Sequence, residues 1–257
     1  MNSLEFGILF PAFLAGVLVL VTHVPLGQQV LNRGIVFIDL AIAQVAGLGV
    51  TAASTFGFEA EGWRVQVAAV AAALLGALLL TWTERKWPEV QEALIGVLFA
   101  VAACAELLLL ANNPQGGEHL KDLLVGQILW VSVKSLLPVA ILYALALVAW
   151  FGFRARLGQA GFYVLFALVV TQSVQLVGIY LVFATLIVPA LASKRFAEGS
   201  RLWVGYSVGL AGYVLGLLCS SLFDLPTGAV IVVTLLVTFI AAVIISLMVP
   251  PRFRAAI

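Results

Sequence analysis

The stretch GIVFIDLAIAQVAGLGV, from Gly34 to Val50, decides the fold class, because it is of membrane-spanning length and yet contains Asp39 and Gln44. A transmembrane helix needs about 20 apolar residues. An ionisable group inside such a helix usually lines a pathway or pairs with another group inside a bundle. We therefore expect Asp39 either to line a transport pathway or to form a structural pair, with Arg33 or with the backbone of another helix.

The rest of the chain is equally apolar. Of its 257 residues, 63% are hydrophobic and 10% are charged, whereas about 25% are charged in soluble domains. These numbers predict an all-α, polytopic transmembrane bundle of about eight spans, formed by residues 1–257 as a single domain. The apolar windows lie at residues 6–24, 35–58, 63–82, 93–111, 133–152, 162–193, 202–222 and 226–249.

The window at 162–193 is unusually long. At 1.5 Å per residue it would measure about 48 Å, against about 30 Å of hydrocarbon in a bilayer, and it contains Gly178 and Pro189. We expect a broken or doubled span here, with a kink at the proline. The number of crossings in this window is open, and it determines which loops share a side of the membrane. The Lys and Arg residues occur in both sets of loops. The positive-inside rule therefore does not decide the orientation.

Composition also excludes several function classes. The net charge of +1 leaves no electrostatic footprint for nucleic acid. The sequence contains no Gly-Lys pair and so no phosphate-binding loop of the ATPase type. Any ATP-driven step would therefore need another subunit. Cys104 and Cys219 both fall in apolar windows, where we interpret them as buried free thiols.

Two further patterns have packing explanations. Gly205, Gly209, Gly212 and Gly216 share one helix face, which predicts close packing against another helix, within the chain or across a dimer. The run from 118 to 132 spaces its apolar residues as a short amphipathic helix at the membrane interface, with Trp130 as a headgroup anchor.

Four motifs occur in a characteristic order. They are PLGQQVLNRGIVFIDLAIAQVAGLG (25–49), TERKWPEVQEALIGVLFAVAACAELLLL (83–110), LKDLLVGQILWVS (120–132) and VQLVGIYLVFATLIVPALASKRF (174–196). In this order, and over most of its length, the chain resembles the membrane permeases of the metal-ion ATP-binding-cassette importers, the family that moves zinc, manganese or iron.

The resemblance implies a transport subunit of a bacterial plasma (inner) membrane, without covalent chemistry and without a stably bound cofactor. The transported substrate would be a divalent metal ion, zinc or manganese. The implied partners are a separate ATPase subunit, an extracytoplasmic metal-binding protein and a second permease chain in a homodimer. The alternatives are a permease for a non-metal solute, an ion-coupled secondary transporter and a membrane scaffold, which would leave Asp39 unexplained.

The family usually carries an Asp and, four residues later, a His on its second span. Here the corresponding residues are Leu40 and Gln44. We expect compensation from His23, Asp39 and Glu106, because imidazole and carboxylate suit zinc or manganese. Each of these residues also has a structural explanation.

In that explanation His23 is a helix-end histidine at the interface, and Glu106 is an interfacial acid that reaches water. Gln44 would then form an interhelical hydrogen bond.

The resemblance also assigns two loop regions. The segment FRARLGQAG (153–161) would dock the ATPase, and Arg154 and Arg156 suit an acidic groove. Glu118 and His119, in NPQGGEHLKD, are either gate residues that receive the metal from the binding protein or solvated loop residues.

Overall fold

The computed structural model describes residues 3–58, 62–110 and 124–248 of the chain. These ranges contain α-helices, short 3-10 turns and no β-strand, which confirms the all-α class. The helices are α1 (Ser3–Arg33), α2 (Ile38–Thr55), α3 (Trp63–Lys86), α4 (Gln91–Leu110), α5 (Val133–Val177), α6 (Ile179–Ser193), α7 (Arg201–Phe223) and α8 (Thr227–Met248).

Eight segments of the described chain are long and apolar enough to cross a membrane, as predicted. Helix α5 supplies two of them, Val133–Phe153 and Arg156–Val177. Between the two, Gly158 has non-helical backbone angles (φ 57°, ψ −161°), so α5 is two helices joined at a break.

The long window is broken, as predicted, and Gly178 is the break. Gly178 has a φ of 83°, a left-handed conformation that favours glycine, and it separates α5 from α6. Gly126 also has a positive φ and packs directly on this break. A Cβ on Gly126 would lie 2.3 Å from the carbonyl carbon of Val177, so the two backbones touch. Pro189 lies inside α6, which continues as a helix to Ser193.

The run from 118 to 132 departs from the predicted interfacial helix. Residues 118–123 lie outside the described ranges. Only residues 124–125 are α-helical after them, and a 3-10 turn follows at Ile128–Trp130. Ile128 is buried, because it packs inward, and Trp130 is 85% exposed, in keeping with a headgroup anchor.

The chain divides into two compact units. The first unit comprises Met1–Arg33, Val125–Ile141 and Leu176–Ile257, and the second comprises Gly34–Leu124 and Leu142–Gln175. The first unit therefore contains α1, α6, α7 and α8, and the second contains α2, α3, α4 and most of α5.

The predicted glycine face holds the first unit together. Gly205 and Gly209 contact α1, whereas Gly212 and Gly216 contact α8. A Cβ added at any of these glycines would come within 2.2 to 2.7 Å of a side chain on the facing helix. Thr234 on α8 also donates a hydrogen bond to the Gly212 carbonyl, at 2.7 Å. The packing prediction is confirmed within the chain.

A buried glutamine ties the second unit together. Gln91, at the start of α4, accepts a hydrogen bond from Thr83 Oγ1 at 2.9 Å. Its Nε2 donates to the Leu80 carbonyl at 3.0 Å and to the Tyr163 hydroxyl at 3.3 Å. The turn between α3 and α4 is thereby fixed to the second half of α5.

The cysteine interpretation was only partly correct. Both thiols are free. Cys219 is half-buried, but Cys104 is exposed on the surface of the isolated chain, because its face of α4 is not covered by another described helix.

The break at Gly178 also bears on the number of membrane crossings in this region, because α6 reverses the direction of the chain. Gln28, near the end of α1, donates to Ser193 Oγ at the end of α6, at 3.1 Å. Gly126, Gly178 and Gly228 meet around Val125 at the opposite end of the first unit. Helix α6 therefore returns across the unit, and the residues that follow it lie at the same end as the end of α1.

If α6 is counted as a crossing, the alternation of spans along the chain assigns most Lys and Arg residues to one set of connections, whose side we call the basic end. It contains the connections that follow α1 and α3, the break within α5 and the link from α6 to α7. The opposite end has Arg64 and Lys134 among the described residues. The basic end has Arg33, Arg85, Lys86, Arg154, Arg156, Lys194, Arg195 and Arg201.

Candidate functional site

Glu106 is one of the most deeply buried acids in the described chain. It lies on α4, its exposed fraction is 1%, and its carboxylate accepts hydrogen bonds from Gln44 Nε2 and, at 2.8 Å, from Thr51 Oγ1. Both donors belong to α2, whose small residues Ala43 and Gly47 are buried in the packed unit. The prediction that Glu106 reaches water at the interface is therefore wrong, because α2 covers it.

Gln44 forms the interhelical hydrogen bond predicted for it. Because a carboxylate only accepts, the Gln44 amide must turn its Nε2 towards Glu106. The Oε1 atom is then the atom of Gln44 that faces away from this bond. Thr51 completes the group and was missed by the sequence analysis. Its signal is the spacing of seven residues from Gln44, which puts both on one face of α2.

Asp39 lies in the first turn of α2 and is 1% exposed. Neither of its carboxylate oxygens has a hydrogen-bond partner among the residues that the structure describes. Asp39 therefore forms no hydrogen bond to Arg33 or to the backbone of another helix among the described residues. A negative charge in the first turn is favoured by the helix dipole, which is a partial compensation only.

A second acid, Glu92, lies beside the start of α2. Glu92 is in the first turn of α4, and its Oε1 accepts the backbone N–H of Phe37 at 3.2 Å. The starts of α2 and α4 are thus joined by a carboxylate. The sequence analysis missed Glu92, although an acid next to the start of an apolar run was a visible signal.

His23 lies inside α1, which runs on for ten more residues to Arg33, and its exposed fraction is 0%. The predicted helix-end histidine at the interface is therefore wrong. Its Nδ1 lies 2.9 Å from the Val19 carbonyl and 3.1 Å from Thr22 Oγ1. Donation from Nδ1–H to a carbonyl fixes the neutral tautomer, in which Nε2 carries a free lone pair. Nε2 is buried and has no partner among the described residues.

The predicted metal residues form no common cluster. Gln44 and Glu106 are hydrogen-bonded, whereas Asp39 bonds to neither. Across residues 3–58, 62–110 and 124–248, no group of three or more His, Cys, Asp or Glu side chains is close enough to hold a metal ion.

The predicted loop residues are less well described. Glu118 and His119 lie outside the described residues. Arg156 is exposed close to the break in α5, and Arg154 lies two residues before it in the same helical segment. Gly158, with its positive φ, lies in the middle of the predicted docking segment 153–161.

A comparison with protein families gives a match over nearly the whole chain. The sequence profile of the ABC 3 transport family matches residues 5–160 and 151–246. The chain belongs to the ABC 3 transport family. The resemblance found from the four motifs is thereby confirmed.

Curated relatives agree with this family. The chain is 27% identical to the probable iron transport system membrane protein of Haemophilus influenzae, over 61% of this chain and 65% of that protein. It is 23% identical to the high-affinity zinc uptake system membrane protein ZnuB of the same organism, over 89% and 94%. A probable metal transport system membrane protein of Thermotoga maritima is 27% identical, over 93% and 90%.

A solved structure shows the same fold. It is PsaBC from Streptococcus pneumoniae in complex with Fab, which matches with a TM-score of 0.73 at 22% identity. The match covers 95% of this chain and 92% of that one. The ABC 3 chain is therefore an integral membrane protein with the helical architecture of that structure.

Proposed function

We propose that this chain is the permease subunit of an importer that moves a divalent metal ion, zinc or manganese, with ATP hydrolysed on a separate subunit. The names of its ABC 3 relatives support a metal substrate. The observation that carries the proposal is the buried, unpartnered Nε2 of His23. An unsatisfied buried polar atom costs about 1–3 kcal/mol, and a passing cation would satisfy it.

The tautomer of His23 suits this role. Metal-binding histidines generally donate their other ring N–H to a carbonyl or a carboxylate, which orients the ring and raises the basicity of the ligating nitrogen. The bond from Nδ1 to the Val19 carbonyl is of this kind. His23 would therefore bind the ion through Nε2 during its passage.

The second unit offers oxygen ligands. Both oxygens of Asp39 are free of hydrogen bonds, and a divalent cation would compensate their charge. Gln44 and Glu106 would have different roles in binding the ion. Glu106 holds the amide by Nε2, and Gln44 then offers its Oε1. Glu106 is thus a positioning residue, and Gln44 is the ligand.

This donor set bears on the choice of metal. Imidazole nitrogen suits zinc, whereas carboxylate and amide oxygens suit manganese. This chain offers a histidine on α1 and an amide oxygen on α2, which do not belong to one cluster. We therefore expect transport of manganese and zinc with less preference for zinc than a site with two histidines would give.

Sidedness and partners follow from the distribution of charge. Short loops rich in Lys and Arg stay in the cytoplasm, so the basic end would face the cytoplasm of a bacterial inner membrane. The break at 153–161 would dock the ATPase through Arg154 and Arg156. Glu118 and His119 would face the extracytoplasmic metal-binding protein. The working permease would be a homodimer surrounded by lipid.

The first experiment measures zinc, manganese and iron by elemental analysis in metal-starved cells, with and without this chain. The ATPase and the binding protein encoded beside it are supplied throughout. We expect a chain-dependent gain in zinc or manganese, and no gain in any of the three metals would contradict the proposal.

The matched variant is His23→Leu, which removes Nε2 and puts an apolar side chain of similar bulk in its place. Because His23 bonds to its own helix, unfolding should be little changed while uptake falls. Unchanged uptake would remove His23 from the pathway.

One observation favours a second candidate, an ion-coupled secondary transporter. A buried acid without a partner, such as Asp39, is also what a proton-coupled carrier uses. Proteoliposomes that contain only this chain distinguish the two. Metal uptake driven by a proton gradient, without any ATPase, would support the second candidate and contradict the first.

A further inference from the structure

An open cavity lies at the basic end of the first unit. It is lined by the last turns of α1 and α6 and the first turn of α7, and its volume of ≈ 270 Å³ includes space that is open to solvent. Its polar lining consists of Gln28, Asn32, Ser193, Lys194 and Arg201. The transport proposal uses none of these residues.

The lining is selective for an anion. Two of the lining side chains are cations, and none is acidic. Arg201 is held in place because its Nε donates to the Phe196 carbonyl at 3.1 Å. The carboxylate on its other side is Glu198, 3.8 Å from Arg201 Nη1 and almost fully exposed. An exposed ion pair of this length is worth at most about 1 kcal/mol, so Arg201 keeps its capacity to bind an anion.

The neutral polar groups of the wall are held in fixed positions. Gln28 Nε2 donates to Ser193 Oγ at 3.1 Å, and Ser193 Oγ donates to the Ala190 carbonyl at 2.8 Å. These bonds fix the wall between α1 and α6. Lys194 and Asn32 are exposed at the rim, where they can close on a bound group. Guanidinium, ammonium and amide donors together match the oxygens of a phosphate group.

The cavity lies at the depth of lipid headgroups. Trp203, two residues after Arg201 on α7, is 74% exposed on the surface of the helix, and exposed tryptophans of membrane proteins collect at the interface. Leu191, on the last turn of α6, is also exposed. An apolar surface thus adjoins the cations, as the acyl chains of a lipid require.

We propose that this cavity binds the headgroup phosphate of an anionic phospholipid in the leaflet at the basic end. Basic pockets between transmembrane helices on the cytoplasmic side bind anionic headgroups in other membrane proteins. The phosphate contacts Lys194 and Arg201, and the acyl chains lie along Leu191 and Trp203. One lipid would thereby link α1, α6 and α7.

The test is native mass spectrometry of the full-length chain, released from detergent after addition of phosphatidylglycerol or of phosphatidylcholine with the same acyl chains. We expect one phosphatidylglycerol to be retained and phosphatidylcholine to be lost. Lys194→Gln and Arg201→Gln should each weaken retention about fivefold, the loss expected for one cation near an anionic headgroup. Lys134→Gln, at the opposite end, is the matched control and should change nothing.

Three results would overturn the proposal. The first is equal retention of phosphatidylcholine, and the second is retention unchanged in both cavity variants. The third is displacement of the lipid by inorganic phosphate at millimolar concentration, which would make free phosphate the ligand. Because Arg201→Gln also removes the bond to Phe196, Lys194→Gln is the decisive variant if the other fails to fold. None of these results depends on which substrate is transported.

Discussion

Two regions of the second unit bury a carboxylate to the same degree and treat it differently. Where α4 crosses the middle of α2, Glu106 accepts hydrogen bonds from Gln44 and Thr51. At the start of α2, Asp39 is equally buried, and its oxygens have no such partner in the described residues. The first carboxylate is stabilised by the protein itself. The second has only the dipole of α2 to favour its charge, and the proposed function assigns it to the transport pathway.

The largest effect is expected from Glu106→Leu. This change leaves the Gln44 amide and the Thr51 hydroxyl without an acceptor, at about 1–3 kcal/mol for each unsatisfied group. It also releases Gln44, so we expect uptake to fall at least about tenfold, as for lost outer-shell partners of metal ligands. Thermal unfolding in detergent and metal uptake measure the two effects.

Glu106→Gln is the control for this variant, because its amide oxygen still accepts one of the two bonds. It should recover part of the stability and part of the uptake. If Glu106→Leu unfolds and transports like the parent chain, the hydrogen-bonded group on α2 and α4 has no positioning role.

The next effect is that of Asp39→Asn, which keeps the shape and removes the charge. Because Asp39 has no hydrogen bond to lose, we expect an unfolding temperature that is unchanged or higher. Uptake should fall by at least the roughly tenfold that outer-shell changes cause. Asp224→Asn, at an exposed left-handed residue after α7, controls for loss of an acid elsewhere. If Asp39→Asn lowered the unfolding temperature and left uptake unchanged, Asp39 would be a structural residue and not a residue of the pathway.

A smaller and more specific effect is expected from Gln44→His. A histidine here can donate one ring N–H to Glu106 and offer its other nitrogen to the ion, an arrangement common around zinc. The ratio of zinc to manganese uptake should rise several-fold, while total uptake changes little. A ratio that stays constant, measured by competition between the two metals, would show that Gln44 does not contact the ion.

The smallest effect is that of Thr51→Val, which removes one of two donors to Glu106 and keeps the shape of the side chain. Interhelical hydrogen bonds in membranes contribute about 0.6 kcal/mol on average. We expect a loss of this size in unfolding free energy, with metal preference unaltered. Thr55→Val is the control on the same helix, since the Thr55 hydroxyl donates to the Thr51 carbonyl of its own helix at 2.8 Å. A changed metal preference would place Thr51 in the pathway.

The architecture could be predicted from the sequence because lipid imposes a simple rule on it. Every span must satisfy its backbone internally and be apolar outside, so hydropathy found the eight spans, and Gly178 was visible inside a window too long for one crossing. The glycine face on α7 was equally visible, because small residues at helical spacing have one common use.

The site could be predicted only in part. The burial of Glu106 depends on how closely α2 approaches α4, and no local pattern on α4 reports this distance. The same holds for His23, which lay near the end of a hydropathy window but well inside the helix. The orientation in the membrane depends on whether α6 is a further crossing. That in turn depends on whether the backbone reverses at Gly178, which the hydropathy of the sequence does not show.

The glycine face on α7 has a consequence for assembly. Gly205 and Gly209 accept α1, and Gly212 and Gly216 accept α8, so the whole stripe is occupied by helices of its own chain. A second permease chain therefore cannot dock into it. Any two-fold interface must instead use another surface of the chain, so the closest helix contacts of α7 serve the fold of one subunit and not the joining of two.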